Sequence, residues 1–129
     1  MKNRLTTALV IIATAATCLF GSCQGKDKEV PYAAYLFAYF NGNAPWQEQI
    51  CFALSADGYN YTPLNNGEPI ISSDTIANKK AVRDPHILRG EDGCFYMVVT
   101  DMRSSQGWAS NDGLVLLRSN NLIDWSHSA

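Results

Sequence analysis

Apolar and aromatic residues occur in short runs, separated by polar turn sequences, through most of the chain. Four runs are apolar at consecutive positions, and each has a length typical of a β-strand. They span residues 35–40, 50–54, 94–99 and 114–117. Turn signals such as Asp57-Gly58 and Asp92-Gly93 divide them. Because no stretch of the body shows a helical period, the pattern predicts an all-β fold.

The faces of these strands and a recurring motif indicate the architecture. A strand with one face in water alternates apolar and polar residues, and these runs do not, so both faces are expected to be covered. The motif is an apolar strand followed by a serine, a polar turn residue and an aromatic residue. Its copies are Ser55, Asp57 and Tyr61, and Ser119, Asn121 and Trp125. Self-similarity in antiparallel strands predicts blades of a β-propeller. Two units cannot close a ring of roughly four to eight blades, so part of a propeller is expected.

The N-terminal segment has the layout of an export signal. Lys2 and Arg4 give it a positive start, and residues 5–20 are uncharged and mostly apolar. This apolar run is shorter than the roughly 20 residues of a membrane-spanning helix. We therefore expect the protein to be exported.

The end of this segment predicts a lipid anchor. The sequence Phe-Gly-Ser-Cys at residues 20–23 resembles a bacterial lipobox, although leucine is usual at its first position. The resemblance implies cleavage after residues 1–22, a lipid on Cys23 and a polar tether at 23–31, which leaves 32–129 as the folded part. Ordinary signal cleavage nearby is the alternative. The predicted location is the outer membrane or periplasm of a bacterium, with the protein anchored at Cys23.

Composition narrows the partners. The chain has 129 residues, 47% of them hydrophobic, which argues against a disordered tail. Its 10 basic and 12 acidic residues form no basic cluster, so no nucleic acid partner is expected. Cys51 and Cys94 lie in apolar runs. An exported protein can join them as a disulfide, or both can be buried thiols, and the sequence leaves both alternatives open.

The segment at residues 82–87 holds the most informative chemistry. Pro85 disfavours helical geometry for the residue before it, so Asp84 is expected to be extended, with its carboxylate fixed at the entry to a strand. An aspartate before a proline is ordinarily a turn residue or a local acceptor, and a catalytic role is the other interpretation. The ordinary interpretation of Arg83 is a salt-bridging or solvent-facing side chain, and the alternative is that it orients Asp84 and keeps it ionised. His86 is interpreted as structural, since no other residue is spaced to share a metal with it.

The order of motifs after this segment resembles a known enzyme family. Asp84-Pro85 is followed by the glycine turn Asp92-Gly93, a tyrosine-containing strand at 95–100 and the sequence Ser-Asn-Asn-Leu-Ile-Asp-Trp at 119–125. This order is similar to the first blade of glycoside hydrolase family 43, and residues 35–71 resemble the extra N-terminal strands of some subgroups. The resemblance implies an all-β fold, part of a five-bladed β-propeller, with about two blade-like units of antiparallel strands.

The resemblance also implies an activity. Asp84 matches the general base of a hydrolase that cleaves arabinose-, xylose- or galactose-containing plant polysaccharide with inversion. The family's acid, a glutamate, and its further aspartate have no matching motif here, so the 129-residue chain is expected to be inactive alone. Arg83 is assigned to substrate binding beside Asp84. Trp46 and Trp108 lie in polar, glycine-containing loops and are predicted to stack on sugar rings, with packing of their own loops as the alternative.

Two other interpretations compete with the hydrolase. One is a sugar-binding propeller lipoprotein without catalysis, which needs the same scaffold and aromatic loops. The other is a small β lipoprotein with a structural role, which would leave large apolar patches exposed. No cofactor or metal is predicted. The resemblance allows a structural calcium, for which the sequence offers no evidence.

Overall fold

The computed structural model describes residues 33–128, and the expected signal peptide and tether lie outside them. This part of the chain consists mostly of β-strands. The strands are β1 (Tyr35–Tyr39), β2 (Cys51–Ser55), β3 (Thr62–Pro63), β4 (Val82–Arg89), β5 (Phe95–Asp101), β6 (Gly113–Ser119) and β7 (Ser126–Ser128). One helical turn, α1 (Ser73–Ile76), and three 3-10 turns (Asn65–Gly67, Ser104–Gln106 and Trp108–Ser110) complete the described elements.

The strands form two antiparallel sheets. The first has the order β1-β2-β3 and the second the order β4-β5-β6-β7, so each is a simple up-and-down meander. The four predicted apolar runs correspond to β1, β2, β5 and β6. The all-β prediction is confirmed, and two such sheets are what part of a propeller contains.

The recurring motif forms the same turn in both sheets. The Ser55 hydroxyl donates to Asp57 Oδ1 at 2.8 Å and accepts the backbone amide three residues further on at 2.8 Å. The Ser119 hydroxyl donates to Asn121 Oδ1 at 3.2 Å and accepts the corresponding amide at 2.9 Å. Asp57 and Asn121 each accept two further backbone amides. The repeat seen in the sequence is thus a repeat of local structure.

The apolar core lies between the two sheets. An edge-on contact joins Phe52 of the first sheet to Trp125, which directly precedes β7 of the second, with ring centroids 6.3 Å apart. Trp125 therefore has a structural role, since it packs against the core. The buried side chains of the core are Ile50, Phe52, Ile76, Val82, Met97, Val99, Val115 and Leu117.

The outer face of β6 departs from expectation. Val115 and Leu117 point into the core, whereas Leu114 and Leu116 are 67% and 57% exposed. The prediction that both faces would be covered is therefore wrong for β6 within residues 33–128. The physical reason is that its hydrophobic residues occupy both sides of the pleat, but the described elements pack against one side only.

The two cysteines of the body are both buried and do not pair with each other. Cys51 is a buried free thiol, so it does not pair with Cys94. Burial raises the pKa of the Cys51 thiol, and Glu68 adds to this effect. Cys94 is fully buried as well, so of the two alternatives left open by the sequence the disulfide between these two cysteines is wrong.

Candidate functional site

Asp84 occupies a β-bulge in β4. Arg83 pairs with Thr100 of β5 and His86 pairs with Val98, so the two residues between them face a single residue of β5. Asp84 has a φ of 51°, in the left-handed region, and its side chain is exposed. The extended conformation expected for it is wrong. Pro85 has no N–H to donate to the strand ladder, and the bulge takes up the extra residue with a positive φ.

The backbone of Asp84 is strained, as residues at functional sites often are. A non-glycine residue in the left-handed region costs about 1–2 kcal/mol, although aspartate tolerates it better than most. Such conformations persist where the surroundings impose them, and they cluster at active sites. The bulge therefore sets the position from which β4 presents an exposed carboxylate.

Arg83, next to Asp84, is held by three different groups. Its Nη1 donates to Asn43 Oδ1 at 2.7 Å and to Glu48 Oε1 at 3.1 Å. Its Cζ lies 4.6 Å from the centroid of the Phe40 ring, a cation–π contact. Of the two interpretations of Arg83, the ion pair elsewhere is the one observed, and its acidic partner is Glu48.

Glu48 is the acid that sequence reasoning did not single out. Its side chain has no exposed surface, and Oε1 accepts both Arg83 Nη1 and the backbone amide of Ser104 at 2.8 Å. Its backbone carbonyl accepts the amide of Val82 at 2.9 Å. Its Oε2 and the Arg83 Nε are buried without a hydrogen-bond partner among the described residues. A carboxylate on the loop before β2 thus joins the first sheet to the second.

A pocket of about 230 Å³ opens beside this ion pair. Its wall comes from the loop before β2, from the start of β4 and from the loop after β5. The Ser104 hydroxyl donates to the Asn43 carbonyl at 3.0 Å, which holds the two loops together. The lining residues are Asn43, Arg83, Met102, Ser104, Gly107 and Trp108.

The two predicted tryptophans lie on the two loops that meet at the pocket. Trp108 is 82% exposed and contributes to the lining. Trp46 is 71% exposed and lies three residues after Asn43, outside the lining. The structure thus brings Arg83 and Trp108 together at one pocket, with Asp84 adjacent to Arg83 along β4. An exposed aromatic ring beside fixed polar groups is suited to stacking on a sugar.

Other acids serve local structure. Asp101 is buried and accepts the backbone amides of Asn78 and Lys79 at 2.8 and 2.9 Å, which fixes the segment after α1. Asp92 accepts the Tyr96 hydroxyl at 2.8 Å, and this bond, with the Cys94 amide, lowers the pKa of Asp92. No three His, Cys, Asp or Glu side chains within residues 33–128 are arranged to hold a metal ion.

A comparison with models of protein families identifies the kind of domain that contains this pocket. The model of a family related to glycoside hydrolase family 43, described as a probable glycosyl hydrolase domain, matches residues 30–129. The chain belongs to this family. The match includes both sheets and all the residues of the pocket. A comparison with curated proteins gave no match.

Membership confirms the resemblance found in the sequence. The glycosyl hydrolase domain is related to family 43, and its function is related to glycoside hydrolysis, with carbohydrate as the class of substrate. Within its described residues, none of the helices has the length and apolar character needed to cross a membrane.

Proposed function

We propose that this domain is the N-terminal part of an exported glycoside hydrolase that cleaves its substrate with inversion, and that Asp84 is the general base. The observation that supports the proposal most is the position of Asp84. It is an exposed carboxylate in a strained bulge of β4, adjacent to an arginine that lines a pocket. The family match at residues 30–129 supplies the class of reaction.

The proposed chemistry needs two carboxyl groups. Asp84 would take a proton from water as the water attacks the anomeric carbon, while a protonated acid on the other side gives its proton to the leaving oxygen. Inverting enzymes hold these groups roughly 6.5–9.5 Å apart. Glu48 is unsuited to be the acid, because it is fully buried and bound to Arg83. Glu68 and Glu91 are exposed on turns. We therefore expect the acid to come from another blade and the 129-residue chain to be inactive alone.

The proposed substrate is a plant polysaccharide that contains arabinose, xylose or galactose. Trp108 would stack on a sugar ring at the pocket, with Trp46 on the adjacent loop, while Arg83 would hydrogen-bond to hydroxyl groups. The exposure of both indole rings supports this assignment, because an aromatic residue that packs its own loop would be buried.

Replacement of Asp84 by asparagine tests the catalytic proposal. The variant is made in the protein as its host produces it, and release of reducing sugar from arabinoxylan and arabinogalactan is measured. We expect kcat to fall by about 10²–10⁴, the usual contribution of a general base. Asp74→Asn, an exposed acid on α1, is the matched control and should keep full activity. An Asp84→Asn variant with normal activity would refute the assignment.

A sugar-binding protein without catalysis is the second candidate. The observation that favours it is the pair of exposed tryptophans on loops that meet at a preformed pocket. In that case the host's protein would bind the same polysaccharides without hydrolysing them, and Asp84→Asn would leave the Kd unchanged.

We also propose that the mature protein is attached to a bacterial membrane through a lipid on Cys23. The charged, apolar and small residues at 1–22 and the cysteine that follows them support this location. Cys23→Ser should move the protein from the membrane fraction to the soluble fraction of the host. Retention of the variant in the membrane would contradict the anchor.

A further inference from the structure

The positive charge of the arginine that lines the pocket is neutralised by an acid of the protein itself. Arg83 lines the pocket, and its side chain is only 12% exposed. Glu48 is the acid that pairs with it in the described part of the chain, at 3.1 Å. A ligand in this pocket therefore meets a guanidinium whose positive charge is already neutralised by a buried carboxylate.

The same carboxylate fixes the shape of the pocket. One oxygen of Glu48 holds both Arg83 and the backbone amide of Ser104. Ser104 lies on the loop that carries Trp108, so a single acceptor holds both the arginine and the backbone of that loop. Phe40 and Asn43 confine the guanidinium further. Because these groups are ordered before a ligand arrives, little conformational entropy is lost on binding.

We propose that Glu48 is a positioning residue that determines specificity: by fixing and neutralising Arg83, it makes the pocket select neutral sugars over sugars that carry a carboxylate. This inference rests on the proposed function, since it assumes that a carbohydrate occupies the pocket. It adds a residue and a charge preference that the assignment of Asp84 does not contain.

The preference follows from the chemistry of the two kinds of sugar. A hydroxyl group can accept a hydrogen bond from a guanidinium that is already paired with an acid. A uronate gains most from arginine when it takes both N–H groups of one edge and the charge is unshared. Here Nη1 is occupied by Asn43 and Glu48, and the charge of the guanidinium is already shared with the Glu48 carboxylate. A neutral sugar meets neither obstacle.

Calorimetric titration of Glu48→Gln tests this directly. The host's protein is titrated with a xylo-oligosaccharide, an arabino-oligosaccharide and an oligogalacturonate. The wild type should bind the better of the two neutral probes more tightly than the acidic one. Glutamine keeps the shape of the side chain but removes its charge, so the ratio of the two affinities should shift toward oligogalacturonate by about tenfold. This shift should shrink as salt is raised from about 0.05 to 0.5 M, because screening weakens the attraction between the carboxylates of the oligogalacturonate and the arginine.

Matched variants separate this role from a general loss of structure. Glu91→Gln makes the same change on an exposed turn and should leave the ratio unaltered. Glu48→Gln combined with Arg83→Gln should show the same ratio as Arg83→Gln alone, because Glu48 acts through the arginine. This double variant also serves if Glu48→Gln alone fails to fold, since it buries no unpaired charge.

Two results would overturn the inference while leaving the proposed function intact. One is a wild-type protein that binds a neutral probe but responds to Glu48→Gln with no change in the ratio. The other is a double variant whose ratio differs from that of Arg83→Gln. A wild type that binds none of the three probes would overturn the proposed function and the inference with it.

Discussion

The ion pair between Glu48 and Arg83 is buried and held by several neighbouring groups. Both side chains are withdrawn from water, and transfer of two charges from water is unfavourable unless each keeps its partner. The pair is therefore better evidence for a defined local geometry than for high stability. That geometry connects a residue before β2 with the first residues of β4.

Glu48→Ala should destabilise the protein by about 3–5 kcal/mol, because it leaves the Arg83 guanidinium buried without its carboxylate. Urea denaturation at pH 7, followed by tryptophan fluorescence, gives the free energy of unfolding. Glu91→Ala, an exposed position, should stay within about 0.5 kcal/mol of the wild type.

Replacement of both members of the pair should recover much of the stability that the single replacement loses. Glu48→Met combined with Arg83→Met removes both charges and restores much of the stability, because apolar residues of similar volume can replace a buried ion pair. Equal losses in Glu48→Ala and in the control would show that the Glu48 carboxylate is solvated in solution.

At the scale of elements, the two turns after β2 and β6 have the same hydrogen bonds, but the acid and the amide side chain have exchanged positions. Asp57 accepts a hydrogen bond from the side chain of Asn60 at 2.8 Å. In the other turn the amide comes first, and Asn121 donates to Asp124 at 2.8 Å. The same loop is thus stabilised with a carboxylate at one position or with an amide there.

This exchange predicts a different response to acid. The Asn60 backbone amide, the Asn60 side chain, the Tyr59 amide and the Ser55 hydroxyl all stabilise the ionised form and lower the pKa of Asp57. Its contribution to stability is present above the unfolded-state pKa of about 3.9 and is lost as the pH falls toward the lower folded-state value. Asp57→Asn should therefore lose less stability than the wild type between about pH 5 and pH 2.

Asn121→Asp combined with Asp124→Asn is the reciprocal variant, because Asn121 donates to Asp124 and both residues must be exchanged to reproduce the first turn. It places a carboxylate where the amides of the second turn converge, so its loss of stability in acid should exceed that of the wild type. Urea midpoints measured at several pH values for both variants check this pair of expectations. Parallel pH profiles for the two variants and the wild type would show that the carboxylates of these turns have the same pKa in the folded and unfolded states.

The sequence predicted those elements whose signal is local. β1, β2, β5 and β6 each carry a continuous apolar run, and that run is visible without knowledge of neighbouring strands. β4 was recognised only as a strand entry, because Arg83, Asp84 and His86 interrupt its apolar pattern and Pro85 shifts its register. β7 consists of the polar residues 126–128 and is held by pairing with β6.

The candidate site shows the same limit. Arg83, Asp84 and Trp108 were found because a short motif or a loop context marks each of them. Glu48 has no such local signal, because its partners lie 35 and 56 positions further along the chain. The burial of its carboxylate results from the packing of the two sheets, so the local sequence pattern does not predict it.

At the scale of the whole molecule, the two sheets share one core and leave the outer side of β6 apolar. Leu117 is 3% exposed and packs between the sheets, whereas Leu116 is 57% exposed on the other side. Adjacent leucines of one strand therefore report separately on the two faces. The difference between their exposed fractions shows that packing of the two sheets buries one face of β6 and leaves the other exposed.

Leu117→Ala should cost about 2–5 kcal/mol in the 129-residue chain, since it leaves a cavity in the core. Leu116→Ala should change the free energy of unfolding by less than about 0.5 kcal/mol. Chemical denaturation of both variants gives the comparison. A large loss for Leu116→Ala would show that this face is covered in solution.

The contacts between the segment before β2 and Arg83 of β4 have a consequence for domain engineering. A shortened chain that began after the first sheet would keep Arg83, Asp84 and Trp108 but would lose Glu48, Asn43 and Phe40, the groups that hold the arginine. The first sheet is therefore a wall of the site and cannot be exchanged as an independent module. Chimeras with other propellers should keep the segment from β1 to β6 intact as a single transplanted unit.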